Sequence, residues 1–192
     1  MQTLLDGAQI TQLLTAIADE IVADDTFQLK SPAKTHQPVA LVGIRSRGEL
    51  LAYRLADLLA ARSGTPNTRI DAGALDITFY RDDLALGGGR RAITIPQGTD
   101  MNFRIDDRPV ILVDDVLETG RSVRAALDGL VAFGRPSIIR LAVLIDRGRR
   151  EFPIAADFVG LHVTETSQRQ KISVRLKPTD NEDAVYLAED TP

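Results

Sequence analysis

Apolar residues recur at helical spacing near the start of the chain, at Ile10, Leu13, Leu14, Ile17 and Ile21, and predict an amphipathic helix from about Ala8 to Asp24. A polar stretch, Lys30 to Gln37, leads through Pro38 into the short apolar run Val39 to Val42, closed by Gly43, which predicts a buried strand. Glu49 to Arg62 returns to the helical period, with Leu51, Leu55, Leu58 and Leu59 facing the core and Gly64 at its end. Strand-like residues resume from Leu75 to Tyr80. The pattern then dissolves from Arg81 to Arg108, where Gly87, Gly88 and Gly89 precede Arg90 and Arg91, with Pro96 and Gly98 further on. It re-forms as a strand at Val110 to Val113, a helix from about Gly120 to Phe133 and a strand at Ile138 to Ile145. Shorter strand-like pieces follow at Phe158 to Val163, Ile172 to Leu176 and Val185 to Leu187. Strands alternating with helices predict an α/β fold, a mainly parallel twisted sheet with helices on both faces. A single domain over 1–192 suffices, and no internal repeat is visible.

The segment from Val110 to Ser122, VILVDDVLETGRS, carries the most chemistry. Four apolar residues make a buried strand, Asp114 and Asp115 sit where it ends, and Thr119-Gly120-Arg121-Ser122 opens a helix. Ligands of open α/β sheets bind outside the carboxyl ends of the strands. A glycine turn at a helix N-terminus offers backbone N–H groups to a phosphate, and Thr119 and Ser122 add hydroxyls. Ionised acids accept hydrogen bonds from a ribose diol. Successive strand side chains point to opposite faces, so the two aspartates need not form one acid–base dyad. The pattern thus favours a ribose 5-phosphate held between acids and turn. The alternative is a buried strand that ends in two capping acids before an ordinary helix.

Gly43-Ile44-Arg45-Ser46-Arg47-Gly48 follows the first predicted strand, again at a carboxyl end. Guanidinium groups bind phosphate oxygens bidentately and glycine lets backbone approach, so Arg45, Ser46, Arg47 and Gly48 suit a polyphosphate; a turn with solvated arginines is the alternative. The long loop is either functional or disordered. If functional, its three glycines supply freedom and Arg90 and Arg91 supply charge, with Arg81 at its start. Asp146-Arg147-Gly148 borders the same cleft. Arg147 is a candidate contact on the base or pyrophosphate side, with a surface salt bridge as its alternative.

Composition narrows the field. The 192 residues include no cysteine, which excludes a disulfide framework and thiolate metal sites. A net charge of −4 and a pI near 5.2 exclude a whole-molecule basic field of the kind that grips DNA, although local patches stay open. The longest apolar stretches, such as Leu141 to Ile145, fall far short of the roughly 20 residues that a membrane span needs. The first residues lack a basic leader and carry Asp6. The expectation is a soluble, cytoplasmic protein without membrane contact. His36 and His162 have no partner motif and support no metal site.

The Asp114–Ser122 pattern is similar to the phosphoribosyl pyrophosphate (PRPP) signature of the type I phosphoribosyltransferases. Ala74 to Leu84 (ALDITFYRDDL), Gly134 to Ser137 (GRPS) and Leu141 to Gly148 (LAVLIDRG) resemble, more narrowly, the PyrR family, pyrimidine operon attenuators that are also uracil phosphoribosyltransferases. The resemblance runs from about Ile10 to Leu176. It implies the type I fold with a small hood and a flexible loop at about 82–108. It also implies the reaction of uracil with PRPP to give UMP and pyrophosphate, and Mg²⁺ held mainly through PRPP with no direct protein ligand. Asp114 and Asp115 would be the catalytic acids, with Val116, Leu117, Glu118, Thr119, Gly120, Arg121 and Ser122 binding PRPP. Arg45 to Gly48 would take the pyrophosphate, in a loop that in this superfamily often carries a non-proline cis peptide. Asp146 and Arg147 would lie on the base side, and a homodimer or higher homo-oligomer is implied.

Family members that regulate transcription bind a messenger RNA hairpin through a basic dimer face. Here the sequence departs from the pattern. The family's Gly-His-Arg-Glu is Gly148-Arg149-Arg150-Glu151, its Gly-Lys-Asn is Gly160-Leu161-His162, and the first 29 residues hold no Lys, Arg or His. Asp19, Glu20, Asp24 and Asp25 stand on or beside the first helix, where acids oppose phosphate binding. Arg149 and Arg150 are the remaining candidate RNA contacts. Two functions therefore compete: a uracil phosphoribosyltransferase, and a UMP-sensing RNA attenuator with little catalytic role.

Overall fold

The computed structural model describes residues 2–29, 38–63, 70–81, 98–164, 167 and 170–189. The chain starts with a strand that the apolar pattern does not announce, β1 (Gln2–Asp6), and passes into helix α1 (Gly7–Ala23). Asp6 ends the strand and caps the helix: its carboxylate accepts from Gln9 N at 2.8 Å, while Asp6 N donates to Gln9 Oε1 at 2.9 Å. Next come β2 (Val39–Ile44), α2 (Arg47–Arg62), β3 (Ile70–Leu75), a 3₁₀ turn (Thr78–Tyr80), β4 (Pro109–Leu117) and α3 (Arg121–Phe133). β5 (Ile138–Asp146), β6 (Phe158–His162), β7 (Gln170–Arg175) and β8 (Ala184–Glu189) complete the described elements.

Strands β2 to β6 form a wholly parallel sheet in the order β3-β2-β4-β5-β6. The period of two in β2, β4 and β5 divides the core. Leu41, Ile111, Val113 and Leu144 meet Ile10, Ile17, Leu51 and Leu55 of α1 and α2 on one face. Val42, Leu112 and Val143 meet Val123, Ala126 and Leu130 of α3 on the other. Helices on both faces of a parallel sheet are as the pattern predicts. After β3 the chain reverses direction across the sheet to β4 on the far side of β2, so the switch point lies between the carboxyl ends of β2 and β4, where a ligand cleft forms in such sheets.

The strand expected from Leu75 to Tyr80 is displaced. β3 occupies Ile70 to Leu75, sharing only Leu75 with the expected strand, and Asp76 turns the chain out of the sheet. Asp76 Oδ1 accepts from Thr78 N at 2.9 Å and Thr78 Oγ1 at 2.6 Å, a side-chain turn that outcompetes the strand preference of Ile77, Thr78, Phe79 and Tyr80. Of the loop expected from Arg81 to Arg108, residues 98–108 are well anchored. Asp100 bridges Ala74, Ile105 is buried, and the buried Arg108 donates to Asp71, Pro38 O and Arg104 O. Arg90 and Arg91 lie outside the described residues.

β1, β8 and β7 form a separate antiparallel sheet, the small hood, built from both ends of the described chain. Two bidentate pairs tie it to α2: Arg47 to Asp180 at 3.0 and 3.1 Å, and Arg54 to Asp183 at 2.9 and 3.0 Å.

Candidate active site

Two loops meet at the switch point. An ideal Cβ on Gly48 would lie 2.5 Å from Val113 O and 3.4 Å from Asp114 Oδ1, so only glycine lets the β2–α2 loop approach β4 this closely. The Arg45–Ser46 peptide in that loop is cis. On the other side, Gly120 adopts φ +90° ahead of α3, a conformation glycine reaches without strain, and Thr119 Oγ1 accepts from Arg121 N at 3.3 Å. The amides that follow, at Ser122 and Val123, lie at a helix N-terminus that can take an anion.

Asp114, Asp115, Val116, Leu117, Glu118, Thr119, Gly120 and Ser122 line one cavity of about 270 Å³ with Val123 and Ile172. Eight of the nine residues predicted in this motif thus surround a single space. The ninth, Arg121, turns away: its Nε donates to Glu151 at 2.7 Å and its guanidinium lies 5.4 Å from the centre of the Phe152 ring.

The two aspartates are electrostatic neighbours, the charge of Asp115 acting on the Asp114 carboxyl. Their amides twist the end of β4: Asp115 N donates to Asp114 Oδ1 and Val116 N to Asp115 Oδ1. Burial and then the neighbouring Asp115 charge push the Asp114 carboxyl well above the usual carboxylate range, while Arg81 pulls it down. Burial also raises Asp115, and the Arg47 guanidinium opposes it. Without a cation or hydrogen-bond donors from a ligand, the pair resists double ionisation.

Arg45 donates its backbone N–H to Leu75 O at 3.0 Å and reaches Glu49 at 3.6 Å. Its Nε is buried with no partner among the described residues. Arg47 stands between Asp115 and the hood. Asp146 accepts from Gly148 N at 2.7 Å and Arg150 Nη2 at 2.6 Å; burial opposes its ionisation, but these bonds hold it below the usual range. Arg147 is no surface pair. It is 2% exposed and donates to Glu118 at 2.8 Å and to Gln170 O at 2.7 Å, fastening the cavity wall to β7. Arg149 donates to Ser167 O, and Arg150 turns inward to Ile154 O and the carbonyls of β4. His162 stands 3.9 Å from Asp146 with an exposed ring. No group of three or more acidic or histidine side chains stands ready for a metal among the described residues. No described helix is long and apolar enough to cross a membrane.

The sequence pattern misses Ile172, Asp180 and Glu151. Ile172 falls in a predicted strand, yet no local signal says that this strand returns to the cavity. Asp180 pairs with an arginine 133 positions away, which spacing cannot reveal.

Comparison with known proteins agrees with this architecture. The family model "Phosphoribosyl transferase domain" matches residues 2–179. The "Bifunctional protein PyrR" of Roseiflexus sp. (strain RS-1) is 47% identical over 189 residues, 98% of this chain and 95% of that protein. Its counterpart in Chloroflexus aurantiacus is 54% identical over 149 residues, 78% of each. Among solved structures, the hypoxanthine phosphoribosyltransferase of Trypanosoma cruzi matches 98% of this chain and 97% of its own with a TM-score of 0.70 at 15% identity, a likeness of fold.

Proposed function

The chain belongs to the phosphoribosyl transferase domain family and, within it, to the PyrR proteins; from that premise we propose that it joins uracil to PRPP, giving UMP and pyrophosphate. One observation carries the reading: the buried Asp114, the half-buried Asp115 and a glycine turn at a helix start share a single cavity. The turn from Thr119 to Ser122 takes the 5-phosphate on backbone amides and hydroxyls. Asp114 and Asp115 accept from the ribose 2′ and 3′ hydroxyls and lower the energy of positive charge that develops on the ring as pyrophosphate leaves. Arg45 and Arg47, with the close-packed Gly48, address the pyrophosphate. Asp146 and the buried Arg147 shape the base side, and Ile172 supplies an apolar wall.

The donor set fits Mg²⁺. Two adjoining carboxylates, with no cage of three or more acidic or histidine side chains among the described residues, suit an ion that keeps several waters and takes its remaining oxygens from substrate phosphates. When bound it neutralises charge on the departing pyrophosphate. A cation and ribose hydroxyls beside Asp114 and Asp115 would favour the ionised form of both carboxyls.

The test is pyrophosphate release with Mg²⁺, PRPP and a panel of bases. Release with uracil and little with hypoxanthine or adenine supports the assignment, whereas release with a purine alone overturns the pyrimidine part. Calorimetry that detects no PRPP binding overturns it entirely.

A second reading, a UMP-sensing RNA attenuator, draws on relatives that are named bifunctional. The charge distribution weighs against it: Asp19, Glu20, Asp24 and Asp25 mark α1 and its end, and Arg149 and Arg150 spend donors inside the protein. A gel shift with leader RNA, with and without UMP, separates the two. Binding that weakens steeply with salt would favour attenuation.

A further inference from the structure

A turn that aims its amide N–H groups at a ligand sends its carbonyls the other way, and those carbonyls need donors of their own. Three successive carbonyls of the phosphate turn, from Leu117, Glu118 and Thr119, find them in one segment, residues 147–152. Arg147 N donates to Leu117 O at 2.9 Å, and Glu151 N and Phe152 N converge on Thr119 O at 2.9 and 3.1 Å. The Glu118 carbonyl is served by a side chain. Arg150 Nη1 donates to Glu118 O at 2.8 Å and reaches Leu117 O at 3.2 Å. The same guanidinium gives Nε to Ile154 O at 2.7 Å and Nη2 to Asp146 at 2.6 Å. Its three nitrogens thus join the end of β4, the end of β5 and the β5–β6 loop.

We propose that Arg150 is the positioning residue of the phosphate turn, holding the Leu117 and Glu118 carbonyls outward so that the amides that follow face the cavity. The inference rests on the PRPP reading above and assigns Arg150 away from any RNA surface. A guanidinium is needed because its planar fork serves four acceptors at fixed angles; a lysine ammonium on a flexible stem cannot span them. The adjoining Arg121–Glu151 pair and the Thr119 bonds keep the same segment against the turn.

The experiment measures UMP affinity by calorimetry, and KM for PRPP and for uracil, in wild type, Arg150→Met and Arg150→Lys, with the thermal midpoint of each. UMP and PRPP share the 5-phosphate, so both should bind more weakly, on the order of 10-fold to 100-fold for an ångström-scale displacement. KM for uracil should rise by a smaller factor than KM for PRPP, since Arg150 reaches the base side only through its bond to Asp146. Should the Met variant not fold, the Lys variant decides: weakened UMP affinity at an unchanged midpoint supports the role, and full affinity overturns it. Arg150 variants that keep UMP affinity but lose leader-RNA binding also overturn it. If wild type itself binds neither PRPP nor UMP, the enzyme reading falls first and this inference falls with it.

Discussion

Gly48→Ala tests the close approach at the centre of the site. An ideal Cβ there would sit 2.5 Å from Val113 O, 3.2 Å from Asp114 Cα and 3.4 Å from Asp114 Oδ1. Two of these three neighbours are backbone of β4, the middle strand of the five-stranded sheet, so no flexible side chain can swing aside. The gap must open by at least about 0.5 Å to reach the tightest separations that Cβ atoms tolerate. The β2–α2 loop has to supply that movement, since β4 is packed on both faces. Overpacking of this kind costs about 1–3 kcal/mol. For a chain of 192 residues that lowers Tm by several degrees, taking roughly 2–4 °C per kcal/mol. The same movement separates Arg45 and Arg47 from Asp114 and Asp115, so kcat/KM for PRPP should fall by about one to two orders of magnitude. Calorimetric unfolding together with steady-state kinetics reads both numbers. A Gly48→Ala protein with wild-type Tm and wild-type kcat/KM would refute the claim that these loops are in obligatory contact.

Three further outcomes follow from the site and its supports. Burial and the Asp115 charge raise the folded-state pKa of Asp114 above its unfolded value, so its stability contribution is whole below about pH 4 and is lost as pH rises through the raised folded value. Substrate-free Asp114→Asn should therefore match wild type in Tm near pH 4 and exceed it at pH 8, with turnover gone; a lower Tm at pH 8 would count against a strained carboxylate. Asp183 behaves in the opposite sense. Its bond from Arg54 leads the causes that lower its pKa, so its contribution holds above the unfolded value and disappears as acid protonates it. Arg54→Met should flatten the loss of Tm below about pH 4, as followed by circular dichroism. Ile172→Trp should occlude the roughly 270 Å³ cavity and raise KM for uracil severalfold without lowering Tm, and an unchanged KM would remove Ile172 from the cavity wall.

Much of this was legible from local pattern. Buried parallel strands announce themselves as unbroken apolar runs, so β2, β4 and β5 are evident, and acids followed by a glycine turn at the end of β4 locate the cleft. What escaped depends on partners far along the chain. Gln2 to Asp6 become a strand only by pairing with β8, and nothing in five residues encodes that. Ile77 to Tyr80 carry strand propensity, but Asp76 overrides it with local bonds that propensity scales omit. Arg150 is a different case: its donors reach the carbonyls of Leu117 and Glu118, more than thirty positions earlier, a partnership that local spacing does not encode.

The hood has a consequence for biosynthesis. β1 leaves the ribosome before the other described elements, yet its strand partner among the described residues, β8, follows every strand of the parallel sheet. β7, which brings Ile172 to the cavity, is equally late. A nascent chain can bury much of its parallel sheet while still attached, but its substrate chamber stays without one wall until translation has passed β8. Premature termination anywhere before that strand should leave material that is partly folded and catalytically silent.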